Sequence, residues 1–218
     1  MSIFRRRLMM QAKAQPLECP YITDGLVFWL DGLNKGASDG RWVDLVKRIE
    51  FTNNNVESLD DGWRFNGTSS YFTTSSQIGY GADYTIEFCI NLAVNNRVVM
   101  AFGPQTIKYS PMVFVKSGSY IIIMQYTNTY SFTPSLNANY SISANLSRLV
   151  RNGESPISPS SKVDYWNNRG NYIGRRATGD YFKGVIHGIR MYNRRLSLEE
   201  QQFNISVDNE RFNLGLTL

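Results

Sequence analysis

Histidine is almost missing from the chain: among 218 residues there is one, His187, and no serine, cysteine or acid stands close to it in sequence. Any nucleophile pair would therefore have to be assembled by the fold, and the local reading is a packed, hydrogen-bonded residue on a strand. Cysteine is nearly as scarce. Cys19 and Cys89 are too few for a disulfide scaffold and have no zinc or thiol-redox spacing. Cys89 reads as a small buried hydrophobe; a Cys19–Cys89 bridge stays open for an oxidising compartment. Long apolar runs are absent too, none approaching the roughly 20 residues a helix needs to cross a bilayer.

The segment after Arg5–Arg7 lacks the uninterrupted apolar region of a secretory signal. A soluble protein, cytoplasmic or virion-associated, is therefore expected, and the Asn-x-Ser/Thr triplets at Asn66, Asn139, Asn145 and Asn204 carry no meaning without secretion. Nor is there a continuous basic stripe. The net charge of +5 comes from dispersed pairs such as Lys47-Arg48, Arg175-Arg176 and Arg194-Arg195, which excludes a specific nucleic-acid binder.

What the chain does have is apolar and aromatic content, 42% and 13%, enough for one sizeable β domain. Leu26–Leu30 is a compact apolar strand between two Asp-Gly turn signals. Trp29, Trp42 and Trp63 read as core, and Asn66-Gly67 predicts a hairpin between Trp63–Phe65 and Tyr71-Phe72. Thr85–Leu92 alternates, putting Ile86, Phe88, Ile90 and Leu92 on one face of a half-buried strand. Further strands follow at sandwich spacing. Near the end, alternation places Val185, Ile189 and Met191 on one face of a strand and Phe182, Ile186, Arg190 and Tyr192 on the other. Ser197 to Glu200 has capping-box spacing, so a helix should begin at Leu198, turn Phe203 and Val207 inward and stop near Asp208-Asn209.

The pattern from Gly184 to Glu200, Gly-x-Ile-x-x-apolar-Arg-apolar-Tyr-Asn-Arg-x-Leu-Ser-x-Glu-Glu, resembles the closing motif of concanavalin A-like lectin/glucanase domains of the laminin-G-like type. The resemblance extends to Asp24–Asp31, Trp63–Phe72 and Asp83–Phe88 and covers nearly everything after Pro20. It implies an all-β jelly-roll sandwich of two antiparallel sheets with a short C-terminal helix over residues 21–218. Residues 1–20 are then a basic N-terminal arm, a leader or a segment that docks on a partner. The resemblance also makes Leu149-Val150 a buried strand near the sheet centre, ending in an Asn152-Gly153 turn.

Three chemistries come with that resemblance. Retaining glucanases need two carboxyl groups about 5–5.5 Å apart, which this fold supplies from a Glu-x-Asp-x-x-Glu strand that the chain lacks, so no enzyme is expected. Calcium would need loop and strand acids. His187-Gly188 stands where the family often places them, and Asp24, Asp31 and Asp180 read equally as turn residues or as ligands, so no cofactor is expected and calcium is left as the one open alternative. Carbohydrate binding needs rings to stack on sugar faces and amides or guanidinium groups to bond hydroxyls. The candidates are Tyr165 and Trp166 beside Asn168 and Arg169, with Tyr126 and Tyr130 next. The expected function is thus non-catalytic recognition, of glycan, through sheet-edge loops. The rival is a structural or assembly protein, such as a phage virion or tail component, whose sandwich and arm make protein contacts, including contacts between copies of the chain.

Overall fold

Alternating apolar side chains build two antiparallel sheets that close on one core. The first holds β1 (Leu26–Asp31), β4 (Glu57–Leu59), β5 (Gly62–Asn66), β7 (Thr85–Leu92), β12 (Ala138–Asn145), β13 (Leu149–Arg151) and β15 (Lys183–Tyr192). The second holds β2 (Trp42–Val43), β3 (Glu50–Asn54), β6 (Tyr71–Thr74), β8 (Val98–Ala101), β9 (Met112–Lys116), β10 (Ser119–Met124), β11 (Asn128–Tyr130) and β14 (Asn171–Ile173). Neighbours run β13-β12-β7-β15-β5-β4, with β1 also on β15, and β11-β10-β9-β8-β14-β6-β3-β2. After β15 comes α1 (Leu198–Arg211). This computed structural model describes residues 19–79, 83–94, 98–102, 112–116, 119–124, 128–130, 132–159, 171–176 and 179–218, with backbone alone over 112–116, 119–124 and 128–129.

The core takes Ile86, Phe88, Ile90 and Leu92 from β7, together with the fully buried rings of Trp42, Trp63, Phe65 and Phe72. Each large side chain removed from water contributes about 1.5–3 kcal/mol, and the rings meet edge-on or tilted, as Trp63 and Phe72 do at 4.9 Å. β7 is not half-buried. Its other face, carrying Glu87 and Cys89, is buried as well, because α1 and the chain after it lie over that side.

Three local expectations are corrected. In β15, Ile186 pairs with Ile90 but Gly188 with Cys89, so one residue is bulged between them. The bulge shifts the alternation: Ile186, Ile189 and Met191 all join the core cluster, while Val185, Arg190 and Tyr192 stand opposite Asn91, Glu87 and Thr85 on the outer face. Asn66-Gly67 makes no hairpin, because β5 belongs to the first sheet and β6 to the second. Instead the Asn66 Oδ1 accepts the backbone N–H groups of Thr68, Ser69 and Ser70, forming a corner between sheets. Leu149 and Val150 are buried as expected, but β13 is an edge strand of its sheet, not a central one.

The helix starts where its capping box says it should: Ser197 Oγ accepts from the Glu200 N–H and the Glu200 carboxylate accepts from the Ser197 N–H. Its inward stripe differs from the expected one. Phe203 is 47% exposed, and Gln201, Asn204, Ile205 and Asp208 face the sheet instead. The stripe is polar because the sheet face beneath it is polar.

Candidate functional site

Of the residues singled out for ligand contact, Tyr165, Trp166, Asn168, Arg169 and Tyr126 lie outside the described residues. Tyr130 is described and fully buried. Its hydroxyl donates to the Asn145 carbonyl at 2.6 Å, so the ring is placed in the core and not on a loop surface.

The first sheet's outer face divides into a covered half and an open half. Under α1, Arg190 is 1% exposed and bridges two buried acids. Its Nε donates to Glu87 at 2.8 Å, and its two terminal nitrogens donate to Asp208 at 2.7 and 2.8 Å. Ser143 and Asn204 complete Glu87, while Tyr21 and Ser141 complete Asp208. Such burial is tolerable only because both oxygens of each carboxylate accept hydrogen bonds, three to Glu87 and four to Asp208. Burial raises the Glu87 pKa above the usual carboxylate value, with Arg190 opposing. For Arg190 burial works downward, but Asp208, Tyr21 and Glu87 outweigh it and hold the guanidinium well above its ordinary range. The Tyr21 ring lies 3.7 Å from the guanidinium carbon.

Beyond the C-terminal end of α1 the face opens into a groove of about 380 Å³, lined by Leu59, Asp61, Asn91, Asn139, Val185, His187, Phe212 and Asn213. The β15 bulge makes it. β5 pairs with β15 up to Ile186 and β1 takes over at Gly188, so His187 sits at a seam between two partners. Its carbonyl accepts the Gly32 N–H at 2.7 Å. Gly32 is needed there: a Cβ would stand 2.4 Å from the Asp61 carbonyl oxygen and 2.6 Å from that of His187.

His187 Nδ1 lies 3.0 Å from the Asp61 carbonyl oxygen and 3.4 Å from its carboxylate. Both can only accept, so Nδ1 carries a proton and Nε2 is the nitrogen turned to the groove's other partners. Phe212 packs against the imidazole at 5.3 Å. Across the groove Asn91 and Asn139 are opposed on β7 and β12. Asn91 donates to Asn139 at 2.9 Å, and Asn139 donates to the Leu214 carbonyl at 3.0 Å, which orients both amides. Sequence reasoning missed this set. The signal present was the pair of oddities at His187 and Gly188; the partners come from four other segments.

The acids considered for calcium do not fit it. Asp24 pairs with Arg194, Asp180 with Arg176, and Asp31 with Arg211 while also accepting the Leu33 and Asn34 N–H groups. Among the described residues no three His, Cys, Asp or Glu side chains gather to hold a metal ion. Cys19 and Cys89 are both free thiols. No helix among the described residues is long and apolar enough to cross a membrane.

No protein-family model matches the chain, and no curated protein matches it. Solved structures do. Trypanosoma rangeli sialidase in complex with sialic acid superposes with a TM-score of 0.62 at 14% identity, over 86% of this chain and 33% of that one. The same sialidase with 2,3-difluorosialic acid, as a covalent intermediate, gives 0.62 at 15% identity, with 86% and 33% covered. The crystal structure of an HCR/D point mutant gives 0.61 at 12% identity, with 85% and 52% covered. The chain thus spans about a third of the sialidase's length. The expectation that the chain is no enzyme is overturned, since the structures it resembles include sialidases. At this identity the likeness carries the β-sandwich fold and assigns no reaction.

Proposed function

We propose that residues 21–218 form a carbohydrate-recognition unit of the concanavalin A-like, laminin-G-like kind, which takes a sugar in the groove beside His187. The observation that carries this reading is the oriented pair Asn91–Asn139 facing His187 across an open groove. Its volume of about 380 Å³ lies near the lower end of the roughly 300–1,000 Å³ of small-ligand sites. Such sites are mostly apolar, whereas this one mixes amides, an imidazole and a carboxylate with Leu59, Val185 and Phe212. A sugar has the matching surface: a ring of hydroxyls that both donate and accept, and apolar C–H faces. The fold shared with a sialidase that holds sialic acid supports the reading at the level of the scaffold.

A glycan array with the full chain, Asn91→Ala and Trp166→Ala tests it. Binding by the full chain that falls at least tenfold in Asn91→Ala supports the groove. Binding lost in Trp166→Ala and kept in Asn91→Ala moves the site to the 165–169 loop. No glycan bound at any salt, with oligomers that dissociate on deletion of residues 1–20, supports an assembly protein instead. Product release from the bound glycan, followed in the same samples, reads out hydrolysis.

A further inference from the structure

We infer that the groove selects uncharged sugars and rejects sialic acids, an inference that rests on reading the groove as a sugar site. Among the described residues that line it, the one carboxylate is that of Asp61, 42% exposed, and no lysine or arginine is among them. A sialic acid brings a second carboxylate, and a site built for it needs a cation free to meet it, best a guanidinium with two parallel N–H groups.

Among the described residues three cations near the groove already have partners, and a fourth, Lys183, exposed on the same face of β15 as Val185, is a flexible point charge and not the planar fork that grips a carboxylate. Lys35 donates to the Leu59 carbonyl and lies over the Trp63 ring at 5.0 Å, with Asp60 and Asp61 as its nearby charges. Arg64, beside Val185 on the adjoining strand, pairs with Glu57 at 3.1 Å. Arg211, in the last turn of α1, pairs with Asp31, whose carboxylate is fully buried. Freeing Arg211 would strand that acid, which is costly.

What remains suits hydroxyls. The Asp61 carboxylate can accept from two adjacent O–H groups, and the asparagine amides supply donors. A second anion would face Asp61 across a partly desolvated groove, where repulsion is stronger than in water.

The test is titration calorimetry of the full chain, Asp61→Asn and Asn91→Ala against two glycans that differ only in a terminal sialic acid, at low and high salt. The expected result is an affinity for the neutral glycan at least tenfold higher, with the gap narrowing at least threefold in Asp61→Asn and shrinking with salt as screening grows. Equal or tighter binding of the sialylated glycan, abolished in Asn91→Ala, overturns the selectivity while the groove stands. A gap unchanged in Asp61→Asn overturns the assignment to Asp61. Binding of neither glycan overturns the groove reading, and this inference with it.

Discussion

Replacing Arg190 by Met removes the cation that pairs with both buried acids. Arg190 donates three hydrogen bonds, one to Glu87 and two to Asp208. Without it Glu87 keeps Ser143 and Asn204, and Asp208 keeps Tyr21 and Ser141, all neutral donors. The two carboxylates, 1% and 0% exposed, then repel each other with no counter-charge. Breaking a buried pair in this way costs about 3–5 kcal/mol, a large share of the roughly 5–15 kcal/mol that stabilises a typical domain. In a chain of this size that lowers Tm by about 6–20 °C. Urea unfolding followed by tryptophan fluorescence measures it, since Trp29, Trp42 and Trp63 are all buried. The deficit should shrink as pH falls toward 4, because protonation removes the stranded charges, and Glu87→Gln/Arg190→Met/Asp208→Asn should recover at least half of it. A loss below about 1 kcal/mol for Arg190→Met would refute the clamp, since a surface ion pair is worth that little.

Alkaline pH should destabilise the protein. Burial raises the pKa of Tyr21 and Tyr192 well above the usual phenol value, beyond the ordinary titration range. A raised folded-state pKa gives stability that is complete below the unfolded value near 10 and is lost as pH rises above it. Each tyrosine adds a slope that approaches roughly 1.4 kcal/mol per pH unit above its unfolded value, and the buried Cys89 thiol, also raised, adds its own; Tyr21→Phe should make the loss shallower, by less than half, in urea melts between pH 9 and 11. Ser197→Ala removes the oxygen that accepts the Glu200 N–H and should lower stability by about 1 kcal/mol. Arg194, bonded to Glu200 by two nitrogens, remains to hold the helix start, so the fold persists and circular dichroism stays near that of the parent.

The parts of the fold legible in the sequence were those written in short spacings. Ser197 and Glu200 stand three apart and meet as written, and Ile86, Phe88, Ile90 and Leu92 alternate into the core as their period demands. What was not legible depended on partners far along the chain. The inward stripe of α1 is polar because Glu87, Ser141, Ser143 and Arg190 wait on the sheet, and no pattern within the helix announces that. Alternation failed in β15 because an extra residue at the bulge reverses every face beyond it. Asn66-Gly67 carries a strong hairpin signal, yet the strands it joins pair with other strands in different sheets. The groove is the extreme case: Asp61, Asn91, Asn139, His187 and Phe212 are brought together by sheet register and by the chain after α1.

A two-dimensional NMR titration of the full chain with a neutral oligosaccharide tests the central claim most directly. The groove reading predicts saturable shifts of the Asn91 and Asn139 side-chain amides and of the His187 ring, while the Asn204 amide under α1 stays still. Saturable shifts that leave those three side chains unmoved, or no shifts across a panel of sugars, would contradict it.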